Sequence, residues 1–169
     1  MAILPVISLL YAMFALSMAS EAESDGGPGE TEVSPELTVV EKRSACQSGW
    51  SSHGNRCFRF FSQLLTWSDA EGHCSGQGGH LASIHNMAEA RFVGHLSGNR
   101  EWTWIGAGGS FEGHTWYWTD GSPFDYSNWS PWEPNNHGGN EHCANTNFNG
   151  GGVWNDLPCH HRRPFVCAK

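Results

Sequence analysis

An α+β domain of short strands and two helices is what this sequence predicts, and three observations predict it. The chain carries 21 glycines, which punctuate it too often for long regular helices. It also holds 9 Trp and 9 Phe, a large apolar payload for a single compact core. Its 6 cysteines follow an apolar N-terminal run, a combination expected of a disulfide-bearing domain made for an oxidising compartment. At 169 residues, 38% hydrophobic and 15% charged, the chain is too short for two ordinary domains and too apolar to be disordered throughout.

Residues 2–19 (AILPVISLLYAMFALSMA) end in small residues, with Ser17 and Ala19 placed for signal peptidase to cut after Ala19, and Ala22 offering a second position. The expectation is a signal peptide over 1–19 and a secreted, extracellular product. A membrane anchor is the poorer reading, because Pro5, Ser8 and Ser17 interrupt the run and no Lys or Arg flanks it to fix an orientation. Residues 20–43 then turn to Glu, Gly, Ser, Pro and Thr, a composition without the apolar surface to offset the entropy of folding. This acidic leader ends at Lys42-Arg43, which reads equally as a dibasic processing site and as two bases in a solvated linker. The folded domain is expected over 44–169.

Within it the strand signals are CFRFF (57–61), LASI (81–84), WTWIGA (102–107), TWYWT (115–119), CANTN (143–147), VWND (153–156) and FVCA (165–168), each bounded by turn residues. Two helices interrupt them. Over 66–74, Thr66 and Ser68 stand three residues ahead of Asp69 and Glu71, the pattern of a capping box. Over 86–96, Ala90, Val93, Phe92 and Leu96 fall at helical spacing. Between Gly106 and Cys143 lies a long stretch of Gly, Pro, Asn, Asp and Trp with little regular pattern, and such loops in compact domains tend to carry function.

Charge excludes one class of partner. Residues 21–45 hold seven acids against Lys42 and Arg43, and residues 44–169 hold ten acids against seven bases, so no basic stripe exists to neutralise nucleic-acid phosphates. The acids of the domain are scattered with one exception: Glu133, Asn135 and Glu141 lie close together, and Asn155-Asp156 follow in Trp-Asn-Asp. All five offer side-chain oxygens. Calcium takes about 6 to 8 such oxygens from carboxylates, amide carbonyls and water, whereas magnesium prefers a tight octahedron and keeps more of its water.

With WIGA (104–107), NW (128–129), WEPNN (132–136), NEHC (140–143), WNDLPC (154–159) and FVC (165–167), the chain resembles the C-type lectin family from about Cys46 to Lys169. The resemblance implies a double-looped α+β C-type lectin-like domain with two helices, two small antiparallel sheets and three disulfides. Spacing alone does not choose among the pairings six cysteines allow; the resemblance implies Cys46 with Cys57, Cys74 with Cys167, and Cys143 with Cys159. The first pair would staple a hairpin turning near His53-Gly54-Asn55.

Carried over residue by residue, the family's calcium site falls on Glu133, Asn135, Glu141, Asn155 and Asp156, and the same five residues would contact the sugar. Glu-Pro-Asn resembles the version that takes the adjacent equatorial hydroxyls of mannose, N-acetylglucosamine or fucose; galactose-type sites read Gln-Pro-Asp. His137 follows at the rim, where it reads either as a side chain against the sugar ring or as an ordinary loop histidine. Asn136 and His142 stand where many relatives carry acids for auxiliary calcium sites, which gives a second calcium no support. The Gly-rich insert over 149–152 is expected to shift Asn155 relative to Glu133.

Other readings are weaker. The 10 histidines form no HExxH motif, and His160-His161, on an expected strand, point different ways. Trp104, Trp116, Trp118, Trp129 and Trp154 are expected in the core, leaving Trp132 as a rim candidate. The sequon Asn128-Trp129-Ser130 is expected to be unused, since Asn128 belongs to a motif that packs. The sequence thus predicts a secreted, calcium-dependent lectin without catalytic activity, recognising glycans such as microbial surface carbohydrates in innate defence. No nucleic-acid binding and no membrane insertion of the mature chain are expected. Avidity would come from clustering into oligomers. The alternatives are a type II antifreeze-like protein that binds ice through the same calcium loop, and a calcium-independent protein-binding module.

Overall fold

The computed structural model describes residues 46–99, 102–109 and 115–169. The expected signal peptide, the acidic leader with Lys42-Arg43, and the first two residues of the expected domain lie outside the described residues. The elements are β1 (Ser51–His53), β2 (Arg56–Leu65), α1 (Trp67–Gly76), β3 (His80–Leu81), α2 (Met87–Leu96), β4 (Thr103–Gly109), β5 (Trp116–Trp118), a 3-10 turn (His137–Gly139), β6 (Glu141–Thr146), β7 (Trp154–Pro158) and β8 (Arg163–Ala168).

Both helices begin on side-chain caps, the first of them within the capping-box pattern the sequence offers. Thr66 accepts the Asp69 N–H at 3.3 Å while its hydroxyl donates to the Asp69 carboxylate at 2.6 Å, so Thr66 is the cap and Ser68 lies in the first turn. Asn86 caps α2 by accepting the Glu89 N–H at 2.9 Å. The LASI segment keeps only His80 and Leu81 as a strand, because Ala82 changes partners there, donating its N–H to Val166 and accepting from Gly106.

Strands β1, β2, β3 and β8 form one antiparallel group and β4, β5, β6 and β7 another, joined by a single parallel pair, Trp104 opposite Phe165. Period-2 alternation sorts the residues onto two cores. Trp104, Phe165 and Cys167 pack with Ala70 and Cys74 of α1, and Ile105, Val166 and Ala168 pack with Ala90 and Val93 of α2. Trp118 and Trp154 are buried beside the second group, and Trp116 and Trp129 pack against it half-buried.

The disulfides are Cys46–Cys57, Cys74–Cys167 and Cys143–Cys159, as the resemblance implied. The second ties α1 to β8 across a separation of 93 residues. Beside the first, Cys57 and Lys169 exchange backbone hydrogen bonds of 2.8 and 3.0 Å, which brings the two ends of the described domain together on β2. The segment after β5 is moored to the start of α2 through Arg56, which bonds Glu89 at 3.2 Å and the Ser83 hydroxyl at 2.8 Å. Ser83 and Ser122 both donate to Asp120, and His85 meets Asp125 at 2.8 Å.

Candidate functional site

The site is assembled on the β6–β7 hairpin and the loop that runs beside it. In the hairpin Asn145 faces Asn155 and Ala144 faces Asp156, with the register unbroken to Thr146 opposite Trp154. Within the hairpin the glycine insert leaves Asn155 in register with Asn145. Asn147, buried with φ of 65°, accepts the Gly152 N–H at 3.0 Å and donates to Gly94 at 3.1 Å and Ser97 at 2.7 Å, so the insert folds back onto α2. Gly152 has φ of 81°, and a Cβ there would stand 2.5 Å from the Ala90 carbonyl oxygen. The insert is absorbed at this close approach, upstream of Asn155.

The second wall is held by backbone bonds. Trp154 donates to Asn128 and its carbonyl accepts from Ser130, each at 2.8 Å, and Glu133 then donates to Ser130 at 3.0 Å. The Asn128 amide is spent on the Gly152 carbonyl at 2.9 Å, so this sequon side chain is structural. The Glu133-Pro134 peptide is cis. Trp132, 94% exposed and with φ of 74°, stands at the rim beside Glu133.

Asp156 joins the two walls. It is 1% exposed, and its two carboxylate oxygens accept the N–H groups of Asn135 at 3.0 Å and Asn136 at 2.8 Å. The Asn135 amide donates to Glu133 Oε1 at 3.0 Å. The His137 N–H, at 2.8 Å from each, is shared by Asn135 Oδ1 and Glu141 Oε2, and the Glu141 N–H donates to Asn136 Oδ1 at 3.0 Å. Glu133, Asn135, Glu141 and Asp156 are therefore one connected group. Asn155 is buried below it, with its amide donating to the Asp156 carbonyl and to Asn145.

Glu133 Oε2 is buried and accepts from no N–H or hydroxyl group; its polar neighbour is the Asp156 carboxylate. Burial, and then the neighbouring Asp156 carboxylate, push the Glu133 carboxyl above the usual carboxylate range. Glu141 is also raised, first by burial and then by Asp156, against the lowering effect of the His137 N–H. Among the described residues no group of three His, Cys, Asp or Glu side chains stands ready to hold a metal ion. The candidate set instead mixes three acids with two amides, and most of its oxygens are turned onto nearby N–H groups. The set fits a hard cation on two counts: its atoms are the oxygen donors calcium takes, and one buried carboxylate oxygen is left unpaired beside a second carboxylate.

Sequence reasoning missed the backbone part of this site. The N–H groups of residues 135–137 and the Asn136 side chain order the loop, and their only signal is an Asn-rich, Gly-rich segment suited to left-handed turns, as at Asn136 with φ of 45°. His137 contributes its backbone N–H to the network. His160 and His161 lie in the turn between β7 and β8, not on a strand.

The model of the Lectin C-type domain matches residues 63–169. The chain is 45% identical over 130 residues to the galactose-specific lectin nattectin of Thalassophryne nattereri, covering 75% of this chain and 81% of that one. It is 37% identical to the type-2 ice-structuring protein of Brachyopsis segaliensis, covering 98% of each. The solved structure of a calcium-independent type II antifreeze protein superposes with a TM-score of 0.69 at 37% identity, over 74% of this chain and 94% of that one. Its relatives are lectins and antifreeze proteins, not enzymes. By sequence, fold and disulfide framework, this chain belongs to the C-type lectin domain family of carbohydrate-binding proteins.

Proposed function

We propose that the chain is a secreted, calcium-dependent lectin, with Glu133, Asn135, Glu141, Asn155 and Asp156 holding the ion. The signal peptide would span 1–19, the leader 20–43 and the lectin domain 44–169. The observation that carries the reading is the buried, unpaired Glu133 Oε2 beside the Asp156 carboxylate. Leaving such an oxygen unpaired costs about 1–3 kcal/mol unless something binds it. Calcium, when bound, supplies a centre on which two neighbouring sugar hydroxyls replace water.

The chain's own residues then read the sugar. The Asn135 amide and the Glu133 carboxylate already form a donor–acceptor couple. A sugar hydroxyl entering between them accepts from Asn135 and donates a hydrogen bond to Glu133, so the couple is satisfied in both states. Glu141 offers a further carboxylate acceptor, and His137 stands at the rim. The order Glu-Pro-Asn supports mannose-type over galactose-type sugars, and clustered copies would supply avidity for microbial surface glycans.

A glycan array run with calcium and with chelator tests this. Calcium-dependent binding of mannose, N-acetylglucosamine or fucose supports it; calcium-dependent binding of galactose alone, as nattectin's name suggests for that relative, overturns the sugar preference but leaves the ion. The full-length match to an ice-structuring protein favours ice binding as a second reading. Thermal hysteresis without any calcium-dependent glycan binding would establish it.

A further inference from the structure

Bases are few in this acidic chain, and most of those described are engaged. Arg56 pairs with Glu89 and Asp120, Arg59 lies over Phe61, and Lys169 lies over Trp50 while bonding Gln47. The turn between β7 and β8 differs. It places His160, His161 and Arg162 in succession, with Arg163 following as the first residue of β8, and none of the ion pairs found among the described residues involves any of the four. His160 and Arg162 are exposed. The His160 and His161 rings are 4.9 Å apart. The Arg163 guanidinium lies over Trp102 at 5.2 Å. Burial first, then His160 and Arg163, hold His161 below the usual histidine range, as expected where positive groups crowd without an acid between them.

The turn begins beside the candidate site. Strand β7 carries Asn155 and Asp156, and two residues later Pro158 stands opposite Glu141. Paired antiparallel residues are about 5 Å apart. The Cys143–Cys159 bridge, a 3.0 Å bond from the Trp67 N–H to the Cys159 carbonyl, and another of 3.0 Å from the His161 N–H to Pro158 hold the turn in place. The basic run thus starts two residues along the chain from Pro158, the residue paired with Glu141.

We propose that His160 and Arg162 form an accessory subsite for an acidic group, a sulfate ester or a carboxylate, on the sugar adjoining the one held at Glu133 and Asn135. The proposal rests on the carbohydrate reading of that site. Arg162 supplies a permanent charge with a planar donor fork, and His160 a ring N–H, the chemistry that recognises oxyanions.

The test compares the wild-type chain with H160Q/R162Q, which leaves Arg163 on Trp102 and His161 in the turn. Each is titrated, with calcium and with chelator, against a mannose-terminated oligosaccharide, its sulfated counterpart and its sialylated counterpart. At physiological salt at least one acidic probe should bind about fivefold more tightly than the neutral one, an advantage that shrinks at high salt and disappears in the variant. Neutral-probe affinity should be the same for both proteins. The acidic probe that shows the advantage distinguishes sulfate from carboxylate. Equal wild-type affinity for all three probes, or an advantage that survives in the variant, overturns the subsite. If the neutral probe binds no better with calcium than with chelator, the calcium reading fails separately. The acidic probes then decide alone: binding lost in H160Q/R162Q upholds the subsite, and binding retained or absent throughout overturns it.

Discussion

The side-chain amide of Asn135 donates to the carboxylate of Glu133 at 3.0 Å, two residues away across Pro134, so donor and acceptor form a couple with a fixed polarity. The double change Glu133→Gln with Asn135→Asp keeps one carboxylate and one amide and reverses that polarity. Calcium affinity, followed by titration, should be retained. Mannose affinity, followed by competition, should fall by about 1–3 kcal/mol for each mispaired polar group, with preference moving toward galactose. Unchanged calcium and mannose binding together would show that the couple does not read the sugar.

Proton and calcium compete for the same oxygens. Burial and the Asp156 carboxylate raise both Glu133 and Glu141 in the metal-free fold. Groups raised in this way contribute stability below the ordinary carboxylate range and lose it as pH rises through their raised values. Calcium relieves that loss, so the increase in Tm on adding calcium should be absent in acid and grow as pH climbs above the carboxylate range. Saturation at about a hundredfold over Kd corresponds to about 2.7 kcal/mol at neutral pH. A calcium-induced shift independent of pH across that window would count against carboxylate ligation.

Asp120 titrates in the opposite sense. Burial alone would raise it, but bonds from Ser122 and Ser83 and the charge of Arg56 outweigh this and hold it below its usual value. Its stabilisation is therefore present above the ordinary aspartate range and is lost as pH falls through the depressed value. Asp120→Asn should lower stability at neutral pH by about 1 kcal/mol, the solvent exposure of the residue keeping the effect small. The difference from wild type, measured by urea unfolding, should close in acid.

Gly152→Ala tests the close approach to α2. The new Cβ meets the Ala90 carbonyl oxygen at 2.5 Å, at φ of 81°, so the insert must move or the helix must yield. The expected loss is about 2–4 kcal/mol in chemical unfolding. Gly151→Ala shares a positive φ but has no atom within 4 Å of the new Cβ, and should cost about 1 kcal/mol or less. Equal losses would place the whole effect in backbone conformation.

What was legible in the sequence was whatever a side chain announces by type and spacing. Thr66 caps the first helix, and the alternation through Phe165, Val166 and Cys167 sorts the two cores as a strand should. Strand β1 was legible only as one arm of the hairpin expected to turn near His53-Gly54-Asn55, because Ser51–His53 has no apolar face and forms by pairing with β2. The acids and amides of the site were legible as a set of oxygens. Their arrangement was not, since it depends on backbone N–H groups, which every residue but proline carries and which composition therefore cannot mark.

The reciprocal bonds between Cys57 and Lys169, with Cys46 bridged to Cys57, give the domain a handle. In the strand order β1-β2-β8-β4-β6-β7 this handle sits on β2, while the hairpin carrying Asn155 and Asp156 forms the far edge. A leader, linker or fused partner attached at either end of the domain leaves from the same side of the sheet. Copies gathered by such tethers can therefore crowd together at their stems while their outer hairpins stay open to a multivalent surface, and labels or resins should be coupled through the termini.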